Sequence, residues 1–349
     1  MVQQLVNGLA LGSVYALIAL GYTMVYGVLR IINFAHGDVY MLGAFVGYYT
    51  AARLHAADHP SFLGGVAVLL AAMLVCACVG MAIERFAYRP LRHSPRINAL
   101  ITAIGVSLLL EYGGQMVFGV NAKSFTPIIA DAPVLELSPA FRHGPRPDDW
   151  LAEAVRRPNG LFSVAPAARY SWDLSVLGRP RLIFFSPFNP TVIVGRVQVL
   201  ILCVSVVLMV ALTAIVKRTR IGRAMRAVSW DMRAAALMGI NIDTVMAFTF
   251  AFGSALAAAA AVLYASYNTK IDPLMGILPG LKAFVAAVLG GIGNIPGAML
   301  GGVFMGLAET AVVAFGKSTL RDAIAFSVLI LVLLVRPRGL LGSVTEEKV

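Results

Sequence analysis

The sequence predicts an all-α protein, a polytopic transmembrane helical bundle of about eight or nine membrane segments, and three observations predict it. Hydrophobic residues make up 59% of the 349 and charged ones 13%, and the mean hydropathy is +0.82; these values exclude a soluble globular domain. Uncharged apolar runs long enough to cross a bilayer recur along the chain. The basic residues behind the net charge of +11 gather between those runs, as the orientation of a multi-pass inner-membrane protein requires. The charge therefore speaks of topology and not of nucleic acid.

Leu5 to Leu29 is the first run, 25 residues without a charge, enough to span about 30 Å of hydrocarbon with some tilt. It lacks the basic n-region of a signal peptide. Gly8 and Gly12 lie on one of its faces and let a neighbouring helix approach closely. Next come the polar Arg30 to Asp38 and the apolar Val39 to Ala52. Fourteen residues rise only about 21 Å, so this run either borrows the polar stretch to cross or dips in and returns. Two readings are open for Asn33, His36 and Asp38. They face a substrate path or moving joint inside the protein, because facing lipid is costly; or Asp38 is an N-cap and His36 an interfacial residue.

Ser61 to Ile83 is a second clear span, and Arg85, Arg89, Arg92 and Arg96 then mark a cytoplasmic loop. Ile97 to Gly119 crosses outward with Glu111 inside it. Residues 120–190 form an extended external loop, rich in Pro and Arg, whose length frees it from the charge rule. Asp148 to Val155 reads as a short helix within it, and most of the rest as irregular chain. Thr191 to Val216 returns to the cytoplasm. Cys76, Cys78 and Cys203 fall inside apolar runs, so neither a disulfide nor a metal site is indicated.

Residues 217–241, KRTRIGRAMRAVSWDMRAAALMGIN, carry six basic residues, Arg223, Arg226 and Arg233 among them, against the single acid Asp231. Ser229 is a plausible N-cap, Trp230, Ala234, Leu237 and Met238 recur at helical spacing, and Gly239 can supply a left-handed cap. Two readings are open for this short cytoplasmic helix: it lies on lipid headgroups, or it docks a partner.

Thr244 to Ser266 crosses outward, and its small residues from Ala257 to Ala261 place it inside the bundle. Pro279 to Leu289 is then helical, and Gly290, Gly291, Gly293, Asn294, Pro296 and Gly297 make an elbow before an apolar helix resumes. The elbow is a break near a permeation path or an ordinary turn at the cytoplasmic surface. No Gly-Lys-Ser/Thr follows, so it is no phosphate loop. Glu309 is a buried acid without a nameable partner. Thr319 to Val335 is the last span, and Arg336 and Arg338 place the C-terminus in the cytoplasm. The amino end falls outside if Val39 to Ala52 crosses and inside if it is re-entrant.

Arg233-Ala234-Ala235, three residues, then Gly239 resembles the coupling loop of ABC-importer permeases, with Arg233 where that family has Glu. Leu9 to Asp38 (LALGSVYALIALGYTMVYGVLRIINFAHGD), Glu84 to Arg92 (ERFAYRPLR), Arg220 to Asn241 and Lys282 to Gly302 (KAFVAAVLGGIGNIPGAMLGG) resemble the LivH-type permease of bacterial high-affinity branched-chain amino acid importers. The resemblance covers most of the chain outside the external loop, which is longer than it implies. It implies a single permease domain over residues 1–349 and a coupling surface of Arg223, Arg226, Trp230, Asp231, Arg233, Ala234, Ala235 and Gly239. It also implies a LivM-type partner permease, two ATPase subunits and a periplasmic amino-acid-binding protein. ATP and Mg are used by the ATPase subunits; this chain is neither an enzyme nor a cofactor carrier on that reading. Asn33, His36, Asp38 and the elbow are candidates for lining the path. An ion-coupled secondary amino acid transporter is the alternative, and would show paired intramembrane charges or inverted repeats where the sequence shows isolated acids. An intramembrane aspartyl protease would need a second aspartate to face Asp38.

Overall fold

The computed structural model describes residues 2–29, 31, 33–55, 61–92, 94–125, 133–139, 182–186, 192–315, 320–336 and 339–342. In chain order its helices are α1 (Val2–Leu29), α2 (His36–Arg53), α3 (Phe62–Ile83), α4 (Arg96–Phe118), α5 (Arg196–Arg218), α6 (Arg220–Trp230), α7 (Met232–Leu237), α8 (Ile242–Asn268), α9 (Ile277–Gly290), α10 (Ile295–Ala314) and α11 (Arg321–Val335). A π-helical turn, Glu84–Tyr88, and a 3₁₀ turn, Arg89–Leu91, prolong α3. Six of these helices are long and apolar enough to cross a membrane. With α2 and the shorter α9 and α11 they make nine membrane segments among the described residues, within the expected eight or nine.

Small residues decide which helices are central. In α1, 94% of the apolar window is buried, and in α8 72%, against 28, 17 and 22% for α3, α4 and α5. A Cβ on Gly12 would lie 2.8 Å from the Val303 backbone, and one on Gly302 would overlap the backbone of Ala16. That contact requires glycine on α10. The pairings Gly8 with Thr310, Gly12 with Val303 and Gly27 with Gly293 make α1 and α10 antiparallel. Gly43 meets Ala258 and Gly47 meets Val262, so α2 and α8 rise side by side in the same direction. In α8 the run Ala257 to Ala261 is wholly buried, as its small side chains predict.

These pairings settle the path of α2. Gly21 of α1 touches both His36 and Gly253, and Gly253 is eleven residues into α8, about 17 Å from its start. Helix α2 therefore begins near mid-depth and runs 18 residues to Arg53. The apolar run crosses by taking His36, Gly37 and Asp38 into its first turn. At the start of α1, Asn7 accepts a hydrogen bond from Gln198 at the start of α5, 2.7 Å. Helix α5 ends in the basic loop, so the amino end lies on the face opposite that loop.

Between β1 (Lys123–Ser124) and β5 (Lys270–Ile271) runs a two-stranded antiparallel pairing with Lys123 opposite Ile271. Residues 131–196 form a compact unit of their own. Within it β2 (Pro133–Pro139) is the central strand, parallel to β3 (Leu182–Ser186) and antiparallel to β4 (Val192–Gly195). This corrects the expectation of irregular chain there. Leu182 to Phe185 and Val192 to Val194 are aromatic and β-branched runs that favour extended pairing. For the same reason the following span begins at Arg196 and not at Thr191. The helix expected over Asp148 to Val155 lies outside the described residues.

Candidate functional site

The basic loop folds as two helices where the sequence predicts one. Thr219 Oγ1 accepts the Gly222 amide at 3.1 Å and starts α6. Asp231 Oδ1 accepts the amides of Arg233 and Ala234 at 2.8 and 3.0 Å and starts α7. Ser229 is therefore not the cap; its hydroxyl donates to the Arg226 carbonyl, 2.8 Å. Two residues further on, the Asp231 carboxylate satisfies two orphan amides at once, and the chain breaks there. At the other end Gly239 has φ +81°. Its amide donates to Ala236 at 3.0 Å and that of Ile240 to Ala235 at 3.1 Å, the paired bonds of a Schellman turn. Ala235 is buried under α7, while Trp230, Leu237 and Met238 are 80, 89 and 82% exposed. Arg223, Arg226, Arg233 and Ala234 are exposed beside them. The loop thus exposes three large apolar side chains together with the arginines Arg223, Arg226 and Arg233.

An ion-pair cluster holds this loop to the end of α3. Arg92 bonds Glu84 in the π-turn and Asp243 in the first turn of α8, and Arg89 also reaches Asp243. Glu84 is 3% exposed. One residue of that same π-turn, Tyr88, turns inward: its hydroxyl donates to Asn33 Oδ1 at 2.9 Å.

Asn33, in the polar break ahead of α2, and His36 and Asp38, in its first turn, are all buried within this chain. The Asn33 carbonyl accepts the His36 amide at 3.2 Å. His36 packs edge-on against Tyr22, ring centroids 4.7 Å apart, and Ser107 of α4 donates to Asp38. Asp38 caps no helix, since it lies inside the first turn. The Gly37 backbone presses on Gly276 and Gly280, so the first turns of α2 and α9 meet here.

The glycine elbow lies apart from this group. A Cβ on Gly290 would overlap the Gly297 carbonyl, and Gly291 and Gly293 have φ +100° and +94°. Asn294 caps α10 by accepting the Gly297 amide at 3.3 Å, with Pro296 in the first turn, where no amide is needed. The segment 339–342 closes over the elbow: Leu340 and Leu341 donate to the Leu289 and Gly290 carbonyls at 2.8 and 3.1 Å, and the Asn294 side-chain amide donates to the Leu341 carbonyl at 2.6 Å.

Glu309 has partners that sequence reasoning missed. Lys282 Nζ is 3.0 Å from it, Tyr15 donates to it at 2.8 Å, and Arg321 also bonds it. Lys282 reaches Asp322 as well, 2.7 Å. The acids are not isolated, which corrects one argument made against ion coupling. The signal was a lysine inside an otherwise apolar helix. Among the described residues no group of three His, Cys, Asp or Glu side chains could hold a metal ion.

The family model described as branched-chain amino acid transport system / permease component matches residues 4–333. The chain is 39% identical over 348 residues to the high-affinity branched-chain amino acid transport system permease protein LivH of Salmonella typhimurium, covering 99% of this chain and 97% of that one. It is 40% identical over 352 residues to the corresponding permease protein BraD of Pseudomonas aeruginosa, with the same shares covered. A ribose import permease protein, RbsC of Haemophilus influenzae, is 31% identical over 34% of this chain and 38% of its own. No solved structure matches. With one family spanning nearly every described helix, the chain belongs to the permease components of branched-chain amino acid transport systems.

Proposed function

We propose that this chain is the permease subunit of an ATP-driven importer that moves Leu, Ile, Val or related amino acids across the bacterial inner membrane by alternating access. Its partners on this reading are a LivM-type second permease, two cytoplasmic ABC ATPase subunits and a periplasmic binding protein. The observation that carries it is α7, a six-residue helix with a fixed start at Asp231 and a fixed end at Gly239, with Leu237 and Met238 exposed at its end and Trp230 exposed just before it. Exposed anchors of this kind fill a pocket in a partner. A guanidinium at Arg233 replaces the carboxylate usual at that position, so the facing pocket carries an acid. ATP and Mg stay with the ATPase subunits. Their closure moves α6 and α7, and α8 carries the motion into the bundle. Asn33, His36 and Asp38, with the elbow from Gly290 to Gly297, remain the candidates for the substrate path.

Secondary transport is the second reading, favoured by the buried Lys282 and Glu309 pair. One experiment separates the two: co-purification of the tagged chain from its native membrane, followed by reconstitution. Stoichiometric ATPase subunits and a second permease, with uptake that needs ATP, are expected. A chain that purifies alone and moves amino acids without ATP overturns the importer reading.

A further inference from the structure

A continuous set of directed bonds joins the coupling loop to the polar break before α2 through the five-residue turn at the end of α3. At the loop, Asp243 opens α8 and takes both Arg89 and Arg92. Arg92, its side chain 10% exposed, holds Glu84 with its other nitrogen. Glu84 begins the π-turn and Tyr88 ends it. Tyr88, 3% exposed, donates to Asn33, 2% exposed, at 2.9 Å, and packs against Phe250 of α8 with its ring tilted by 51° and the ring centroids 5.0 Å apart. Asn33 in turn offers its carbonyl to His36, the first residue of α2.

A π-turn holds one more residue than an α-helix would place over the same length, and such turns concentrate at functional positions. Glu84 and Tyr88 lie four residues apart on one face of this turn and are both buried, while Arg85 and Phe86 stay exposed.

We propose that the π-turn Glu84–Tyr88 is the joint that passes motion of the coupling loop to the first turn of α2, with Arg92 and Tyr88 as its positioning residues. This rests on the importer reading. Helix α8 alone would carry the loop's motion along its own axis; the joint adds a lever onto α2, where the first turns of α2 and α9 meet at Gly37 and Gly276. On the importer reading ATP is bound and hydrolysed by other subunits, so what the joint sets is the number of molecules moved per ATP hydrolysed.

The test is Tyr88→Phe in the complete importer in proteoliposomes, which removes one oxygen and leaves the ring on Phe250. Binding-protein-stimulated ATPase activity stays within about twofold of wild type while uptake per ATP falls about tenfold, the size of an ordinary coupling between sites. Asp243→Asn, at the other end of the joint and half-exposed, shows the same split. The double variant is no worse than the poorer single one, because both break one linkage. Unchanged uptake per ATP in both variants, or ATPase and uptake falling in parallel, overturns the joint. Wild-type uptake that needs no ATP overturns the importer reading instead, and is scored before either variant.

Discussion

Glu309→Leu tests the buried charge cluster most directly. Glu309 is 1% exposed and Lys282 5%, with Lys282 Nζ 3.0 Å from the carboxylate. Removing one member of a buried pair costs about 3–5 kcal/mol, because the other is left charged and poorly solvated. Lys282 keeps Asp322 at 2.7 Å, and the Asp322 side chain is 51% exposed, which puts the loss at the lower end, about 3 kcal/mol. The Tyr15 hydroxyl, now unpartnered, adds about 1 kcal/mol. Arg321 is 43% exposed and turns to water, so its share is small. The expected total is about 4 kcal/mol, read as a shift in the unfolding midpoint of the purified chain titrated from mild detergent into SDS. Lys282→Met added to Glu309→Leu removes the stranded ammonium and leaves about 1 kcal/mol of loss, that of Tyr15. A single variant within about 1 kcal/mol of wild type, or a double variant as unstable as the two singles summed, refutes the reasoning.

Three further outcomes follow from the geometry. Gly239→Pro imposes φ near −65° where the chain has +81° and deletes the amide bonded to Ala236; the chain still inserts, but uptake and stimulated ATPase activity in proteoliposomes are both lost, and normal values would sink the docking role of α7. Gly302→Leu drives a side chain into the Ala16 backbone and lowers stability by more than about 3 kcal/mol, whereas Gly113→Ala, inside α4 where a Cβ meets nothing within 4 Å, raises it by up to about 1 kcal/mol through helix propensity. Asn294→Ala removes both a helix cap and the bond to Leu341 and costs about 1–2 kcal/mol; in a chain ending at Arg336 the same substitution costs measurably less, since only the cap remains to be lost.

What was legible in the sequence follows from how local each cause is. Gly239 was readable as a left-handed cap because only glycine takes φ +81° without strain. The run from Val39 to Ala52 is too short to cross alone, which leaves borrowing the polar stretch and dipping back as the two readings; helix α2 takes His36, Gly37 and Asp38 into its first turn. Choosing Ser229 over Asp231 as the cap failed because both are good caps, and the choice depends on where α6 stops. Tertiary pairings were out of reach. Lys282 and Glu309 are 27 residues apart on different helices, and Tyr15 is 294 from Glu309; nothing in either neighbourhood names the other. The π-turn was equally hidden, because its sequence, ERFAY, has no helix breaker and Tyr88 is held by Asn33 from another element.

The burial of α1 has a consequence for how the protein is made. Its face of Gly8, Gly12 and Ala16 is complementary to Leu307, Gly302 and Gly306 of α10, which are synthesised roughly 15–60 s after it at rates of about 5–20 residues per second. Until then α1 rests in lipid with its small-residue groove open. A chain released before α10 therefore leaves α1 without a seat. Quality control that senses an unpaired helix in the membrane has this one to find, and such a chain is recognised by a helix it has, not by the helices it lacks.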